Sequence, residues 1–438
     1  MLERLFHLRE NKTTVRTEVL AGLTTFMTMA YIIIANPLIL GDAGMNRGAV
    51  ALATCLSSAF STLLMGLWAN YPFALAPGMG INAFFAYTVC GSLGLSWQTA
   101  LGIVFLSGIP ILLLTAFKTR ETVINAIPFS LKCGASAGIG VFLAFIGLQQ
   151  AGVIAKEEAT LVTMSKVLHP EVFPKVLLST IGLLLISALM VKRVRGAILI
   201  GILGTTLLNQ IPYFQIGSSS QGFQEIALGG TFLKMDLLTP LKPTLWALLF
   251  TFLFVDFFDS AGTLVGLSHT AGFLDEKGRM PKAGKALAAD AIGTLLGAVL
   301  GTSTVTSYIE SAAGIEEGGR TGLTALVVAI LFLLAIFITP LVGLVPAPAV
   351  APALILVGIL MMSAIKQVDF SNPGESIPAF LTMLVMPLTF SITNGIAVGF
   401  LVYTLIHLLS GKGREVHPIV YILSVLFLVF FIWSPMFR

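Results

Sequence analysis

Charge is what this chain has least of. Only 11% of its 438 residues are Asp, Glu, Lys or Arg, against roughly a quarter in an ordinary soluble protein, and a soluble enzyme is thereby excluded. Cysteine is scarce too: Cys55, Cys90 and Cys133 lie in or beside apolar stretches without CxxC spacing, so neither a disulfide framework nor a metal cluster is expected. They read as small packing residues. The five histidines, His7, His169, His269, His407 and His417, form no HExxH and no metal-ligand spacing, and none is assigned a site. Also missing is any polar segment long enough for a separate soluble domain, or a cleavable signal ahead of the first apolar run.

What is present in excess is apolar sequence, 56% of the chain, mixed with 43 Gly and 20 Pro. A β-barrel porin, with short alternating strands and a polar lumen, does not produce that mixture. An all-α polytopic membrane protein does, since a span needs about 20 mainly apolar residues. Apolar segments read at 19–40, 49–69, 78–91, 97–117, 131–149, 176–191 and 196–213. After a polar connection they resume at 243–268, 284–300, 307–316, 321–339, 347–363, 377–391 and 393–410. This makes two sets of seven, residues 1–213 and 243–410, followed by a C-terminal apolar segment within 411–438. The run 421–433 is either a further span or an interfacial helix. Seven is odd, so the second set enters the membrane with inverted topology.

Orientation follows from the basic residues. With a cytoplasmic N-terminus, 17 Lys and Arg fall inside, among them Lys118, Arg120, Lys277 and Arg279, and six fall outside. The positive-inside rule is then obeyed, provided that the short third and tenth segments count as crossings.

Those two short segments carry the functional signal. In the third, two prolines and two glycines between Pro72 and Gly80 break the helix before Asn82; in the tenth, the β-branched and hydroxylated run Thr302–Ser307 precedes Glu310. Each reads as an extended stretch followed by a half-helix. Broken backbone at membrane depth is tolerated where it lines a cavity, and a matching pair in two halves points to a transporter's binding site.

Four carboxylates lie in apolar surroundings: Asp256, Asp259, Asp290 and Glu310. An ionised carboxylate at bilayer depth costs about 2.5 kcal/mol or more, so each is a functional candidate. Asp256 and Asp259, three residues apart, share one helical face with an offset of about 60° and a rise of about 4.5 Å. One of the pair can accept N–H groups from a polar substrate; the bland alternative is capping or backbone hydrogen bonding. Glu310 opens a half-helix, where the dipole favours negative charge, and its bland alternative is simple capping. Asn82 offers both donor and acceptor. Asp290 reads as structural or proton-linked in preference to ligand contact. The aromatics Phe254, Phe257 and Phe258 are expected to face lipid or core, and Gly78-Met-Gly80 lacks the strand and lysine of a phosphate loop.

Four stretches then resemble the AzgA-like purine permeases of the nucleobase:cation symporter-2 superfamily. They are Thr25-Phe-Met-Thr-Met-Ala-Tyr-Ile-Ile-Ile-Ala-Asn-Pro37, Ala76-Pro-Gly-Met-Gly-Ile-Asn-Ala-Phe-Phe85, Phe254-Val-Asp-Phe-Phe-Asp-Ser-Ala-Gly-Thr-Leu264 and Thr304-Val-Thr-Ser-Tyr-Ile-Glu-Ser311. The resemblance implies a uracil-permease-like fold of about 14 spans in a 7+7 inverted repeat, with core and gate domains each drawn from both repeats. It also implies a homodimer in the plasma (inner) membrane and an elevator-like carrier motion. Substrate-binding roles fall on Asp259, Glu310, Asn82 and Asp256. Thr263 stands where the uracil permeases have histidine, which favours purines. The expected activity is import of hypoxanthine, guanine or adenine coupled to H+, with Na+ left open. Asp256, Asp259, Asp290 and Glu310 are the proton-coupling candidates. No cofactor, resident metal or nucleic-acid partner is expected. An anion transporter of the same fold is disfavoured by the acidic site: the basic residues within apolar segments, Lys132 and Lys285, lie at segment ends. An intramembrane metal enzyme would need a second acidic cluster and phosphate-binding bases. An ion channel suits half-helices less well than alternating access does.

Overall fold

A computed structural model describes residues 2–116, 126–215, 227–275 and 280–433. Lys118, Arg120, Lys277 and Arg279 lie outside the described residues. Ten described helices are long and apolar enough to cross a membrane. The shorter helices Ala197–Leu208 and Pro373–Leu388 and the two broken segments complete the order expected from the sequence.

The first half runs α1 (Leu2–Phe6), α2 (Val15–Met29), α3 (Ile32–Asp42), α4 (Arg47–Leu64), β1 (Leu75–Pro77), α5 (Met79–Ala83), α6 (Trp97–Ala116), α7 (Phe129–Gln150), β2 (Ile154–Glu157), β3 (Leu161–Met164), α8 (Phe173–Val191), α9 (Ala197–Leu208) and α10 (Pro212–Gln215). The second runs α11 (Trp246–Ala271), α12 (Ala283–Leu300), β4 (Val305–Ser307), α13 (Ser311–Glu316), α14 (Gly322–Ala335), α15 (Ala347–Met362), α16 (Pro373–Leu388), α17 (Ile392–Leu409) and α18 (Pro418–Trp433). The run 421–433 is therefore helical; it lies along α17, with the hydroxyls of Thr404 and Ser424 2.7 Å apart and the rings of Phe400 and Phe427 5.5 Å apart.

Local chemistry explains the breaks. α2 and α3 are separated at Ala30–Tyr31, and Pro37, within α3, leaves the Ile33 carbonyl without its usual donor. α4 loosens into a π-helix over Met65–Ala69 and stops at Asn70, which takes a left-handed conformation (φ 56°). α5 continues as a π-helix over Phe84–Ser92, so the third segment stays helical to its end. The β2–β3 hairpin, between α7 and α8, carries no strong sequence signal.

The helices form two groups. α2, α3, α4, α6, α11, α12, α13 and α14 pack on one another around the two broken segments, while α7, α8, α9, α15, α16 and α17 pack together beside them. Each group has a close glycine contact: a Cβ at Gly322 would sit 1.9 Å from the Gly66 carbonyl oxygen, and one at Gly358 2.3 Å from that of Gly140. Small residues let membrane helices approach this closely. The outer surface carries exposed Leu184, Leu207, Phe337 and Leu405, the side chains that lipid solvates.

Candidate functional site

The two broken segments meet as strands. β1 pairs antiparallel with β4, Leu75 opposite Ser307, Ala76 opposite Thr306 and Pro77 opposite Val305. Gly78 N–H donates to the Thr304 carbonyl at 2.9 Å and Tyr308 N–H to the Ala74 carbonyl at 2.9 Å, closing the ladder at both ends. The Tyr308 hydroxyl donates to the Pro77 carbonyl at 2.5 Å. Thr62 braces the other side, accepting from Leu75 N–H at 2.9 Å and donating to its carbonyl at 3.1 Å. Backbone groups that lipid could not satisfy are thus paired, and the half-helices start immediately beyond the strands.

Successive side chains of a strand point to opposite faces, and β4 uses both. On one face the Thr306 hydroxyl donates to Asp259 Oδ2 at 3.1 Å. On the other, Ser307 donates through its N–H (2.9 Å) and hydroxyl (3.2 Å) to Asp290 Oδ1. Asp259 is partly exposed and faces Gly78, where a Cβ would lie 3.3 Å from Oδ2 and 3.0 Å from Thr306 Oγ1. Glycine at this position leaves the carboxylate open. Glu310 is the N-terminal flanking residue of α13 but makes no side-chain cap; its Oε1 accepts from the Tyr31 hydroxyl at 2.8 Å. Simple capping therefore does not account for it. Asp259 is within electrostatic reach of both Asp290 and Glu310.

Asn82 sits in α5, fully buried; Ser303 donates to its Oδ1, and its Nδ2 has no partner among the described residues. Asp256 turns away from the opening. It is fully buried and accepts from the Thr294 hydroxyl at 3.0 Å. The structure thus brings Asp259, Glu310 and Asn82 to the paired strands, and sets Asp256 with Asp290 behind β4. Sequence reasoning missed Tyr31, Ser303 and Thr306, hydroxyl residues with no charge to mark them. Phe254 and Phe257 are buried, so of the two expected settings they take the core. Lys132 is half-buried in α7, and Lys285 is exposed on the first turn of α12.

Paired half-helices crossing inside a multi-span bundle, with carboxylates at the crossing, define a membrane transport protein. The chain matches the Xan_ur_permease model, described as Permease family, over residues 16–398 and belongs to that family; it is a permease and not an enzyme. It is 46% identical over 433 residues to the adenine permease AdeP of Escherichia coli, covering 98% of this chain and 95% of that one. To the guanine/hypoxanthine permease PbuO of Bacillus subtilis it is 42% identical over 440 residues, covering 97% and 99%. Among solved structures, the transmembrane domain of the cyanobacterial bicarbonate transporter BicA shares the fold at TM-score 0.66 and 17% identity, over 87% of this chain and 96% of that one.

Proposed function

We propose that the protein imports purine nucleobases, among them hypoxanthine, guanine and adenine, across the plasma (inner) membrane together with protons. The carrying observation is near full-length identity to an adenine permease and a guanine/hypoxanthine permease, joined to an acidic, not basic, pair at the strand crossing. A planar purine presents N–H donors along an edge. Asp259 and Glu310 are suited to accept them, hydrogen bonds to an ionised acceptor being roughly twice as strong as neutral ones. Asn82 and the half-helix backbone answer the ring acceptors. An anion would find like charge here.

A proton entering with a neutral base carries charge inward and gains about 2.3 kcal/mol per 100 mV. At about 1.4 kcal/mol per factor of ten, one proton per base supports roughly fiftyfold accumulation. We place the N-terminus in the cytoplasm on the distribution of Lys and Arg and assign the halves 1–213 and 243–410 as inverted repeats, a reading supported by the antiparallel strand pair. The group containing α11 and both broken segments is suited to travel as a body past the other group, an elevator-like motion, in a homodimer that holds the second group still. Na+ in place of H+ is the other coupling reading.

The test is uptake of radiolabelled hypoxanthine, guanine, adenine, uracil and sulfate in cells without their own nucleobase carriers, with and without a protonophore. Purine uptake that the protonophore abolishes, and that Asp259→Asn and Glu310→Gln each reduce at least tenfold at unchanged membrane abundance, supports the proposal. Sulfate uptake without purine uptake refutes it.

A further inference from the structure

The turn that leads from α12 into β4 is gripped by two amides of the first half. α12 gives way at Gly301, held at φ 93°, and the chain passes through Thr302 and Ser303 before β4 begins. Asn36, in α3, is fully buried, and its Nδ2 donates to the Thr302 hydroxyl at 2.8 Å and to the Thr54 hydroxyl at 2.7 Å. Thr54 gives its own hydrogen to the Val50 carbonyl at 2.7 Å, so toward Asn36 it can only accept, which fixes the amide with its nitrogen to the two threonines. On the next residue the Ser303 hydroxyl donates to Asn82 Oδ1, and Asn82 Nδ2 has no partner among the described residues. Neighbouring side chains of an extended chain point opposite ways, and Asn36 and Asn82 thus hold the turn as a pincer. Helix α4 supports both broken segments in this arrangement: Thr54 reaches Thr302 through Asn36, and Thr62 bonds Leu75 directly.

We infer that Asn36 is a positioning residue for the substrate site: by holding Thr302 it sets Ser303 against the Asn82 carbonyl oxygen, and so keeps the Asn82 N–H groups for a ring acceptor of the bound base. Asp259 and Glu310, when ionised, only accept. An oriented Asn82 therefore selects a base that carries an acceptor beside its N–H donors over one that has donors alone. A merely structural tie would act differently, lowering abundance and rate alike for every substrate, whereas lost orientation shows in affinity and only for bases that possess the acceptor. The inference rests on the proposed function for the role of Asn82 toward a base, and its hydrogen-exchange readout is independent of transport.

The experiment compares Asn36→Ala, Thr302→Val, Thr302→Ser and Ser303→Ala in the full chain, purified into proteoliposomes, by uptake of radiolabelled adenine and by competition with the deazaadenines, each of which has one ring nitrogen replaced by C–H. With one neutral hydrogen bond to the base at stake, Asn36→Ala, Thr302→Val and Ser303→Ala should each raise the KM for adenine about three- to tenfold, at a maximal rate within about twofold of native. Thr302→Ser, which keeps the hydroxyl, should behave as native. The native protein should bind at least one deazaadenine more weakly than adenine by a similar factor, and that preference should shrink toward unity in the three disrupting variants. Backbone amides of residues 301–307 should exchange hydrogen faster in Asn36→Ala than in the native protein, whether or not any base is transported. The inference is overturned if Asn36→Ala lowers the maximal rate at a native KM, if the native protein discriminates against no deazaadenine, if the disrupting variants keep the native preference, or if exchange is unchanged. Absence of adenine transport by the native protein would count against the proposed function and leave hydrogen exchange to decide this inference.

Discussion

The hydroxyl of Tyr31 is the contact on which Glu310 leans, 2.8 Å from Oε1 across the break between α2 and α3. A hydrogen bond to a charged group contributes about 1.5–3 kcal/mol, so Tyr31→Phe should raise the KM for purine by roughly ten- to a hundredfold. Membrane abundance should stay native, because the ring remains packed; saturation kinetics of uptake measure both. A native KM would mean that Glu310 is oriented by other groups. Asp259, Glu310 and Asn82 were legible in the sequence because polar side chains in apolar runs are costly and stand out. Tyr31, Ser303 and Thr306 were not, since a hydroxyl costs little on an apolar segment and gains its meaning only from the fold, which sets Thr306 against Asp259, Tyr31 against Glu310 and Ser303 against the Asn82 amide. The division of labour between Asp256 and Asp259 was equally hidden: three residues along a helix share a side, but one of them meets β4 and the other meets α12.

One carboxylate does its work between elements. Glu18, on the first turn of α2, is fully buried and accepts from the backbone N–H groups of Arg320 (2.9 Å), Thr321 (3.2 Å) and Thr324 (3.2 Å) and from the Thr324 hydroxyl (2.6 Å). It caps the start of α14 from a different helix, satisfying donors that the helix itself cannot. Asn70 adds a second cap, its Oδ1 accepting from Gly322 N–H at 2.8 Å. Glu18→Ala would strand several buried donors, each costing about 1–3 kcal/mol. A clearly lower thermal midpoint in detergent is expected, whereas Glu18→Gln, which keeps one acceptor oxygen, should recover part of the loss. A midpoint unchanged by Glu18→Ala would show that water replaces the carboxylate. The sequence did not mark Glu18, which sits just before the first apolar run and reads as a solvated flank. Helical segments were legible within a few residues because hydropathy is averaged over many positions. The β2–β3 hairpin was not, since four-residue strands give such averaging nothing to work on.

The two helical groups touch at several places. Thr88, beyond α5, donates to the carbonyl of Phe390 at 2.6 Å, and that residue is held at φ 52° with its ring edge-on to Phe142 and Phe145. Gln150 donates to the Tyr87 hydroxyl at 2.8 Å. Away from these, Arg195, between α8 and α9, pairs with Glu317, just past α13. If one group slides past the other, these contacts must part. The double variant Arg195→Cys/Glu317→Cys, in a chain with Cys90 replaced, should lose nearly all uptake on oxidation and regain it with reductant. Full uptake by the oxidised form would rule out relative motion at that contact. The order of the helical segments was readable from hydropathy, but the grouping was not, because it joins helices far apart in the chain through glycine contacts of no sequence periodicity. The β1–β4 pair has a consequence for how the protein is made. Leu75–Pro77 reaches the membrane long before Val305–Ser307 has been synthesised, so during biogenesis the first strand waits without its partner in a setting where lipid offers no hydrogen bonds. The N-terminal half is thus an unfinished client that the insertion machinery must shelter until translation delivers the second.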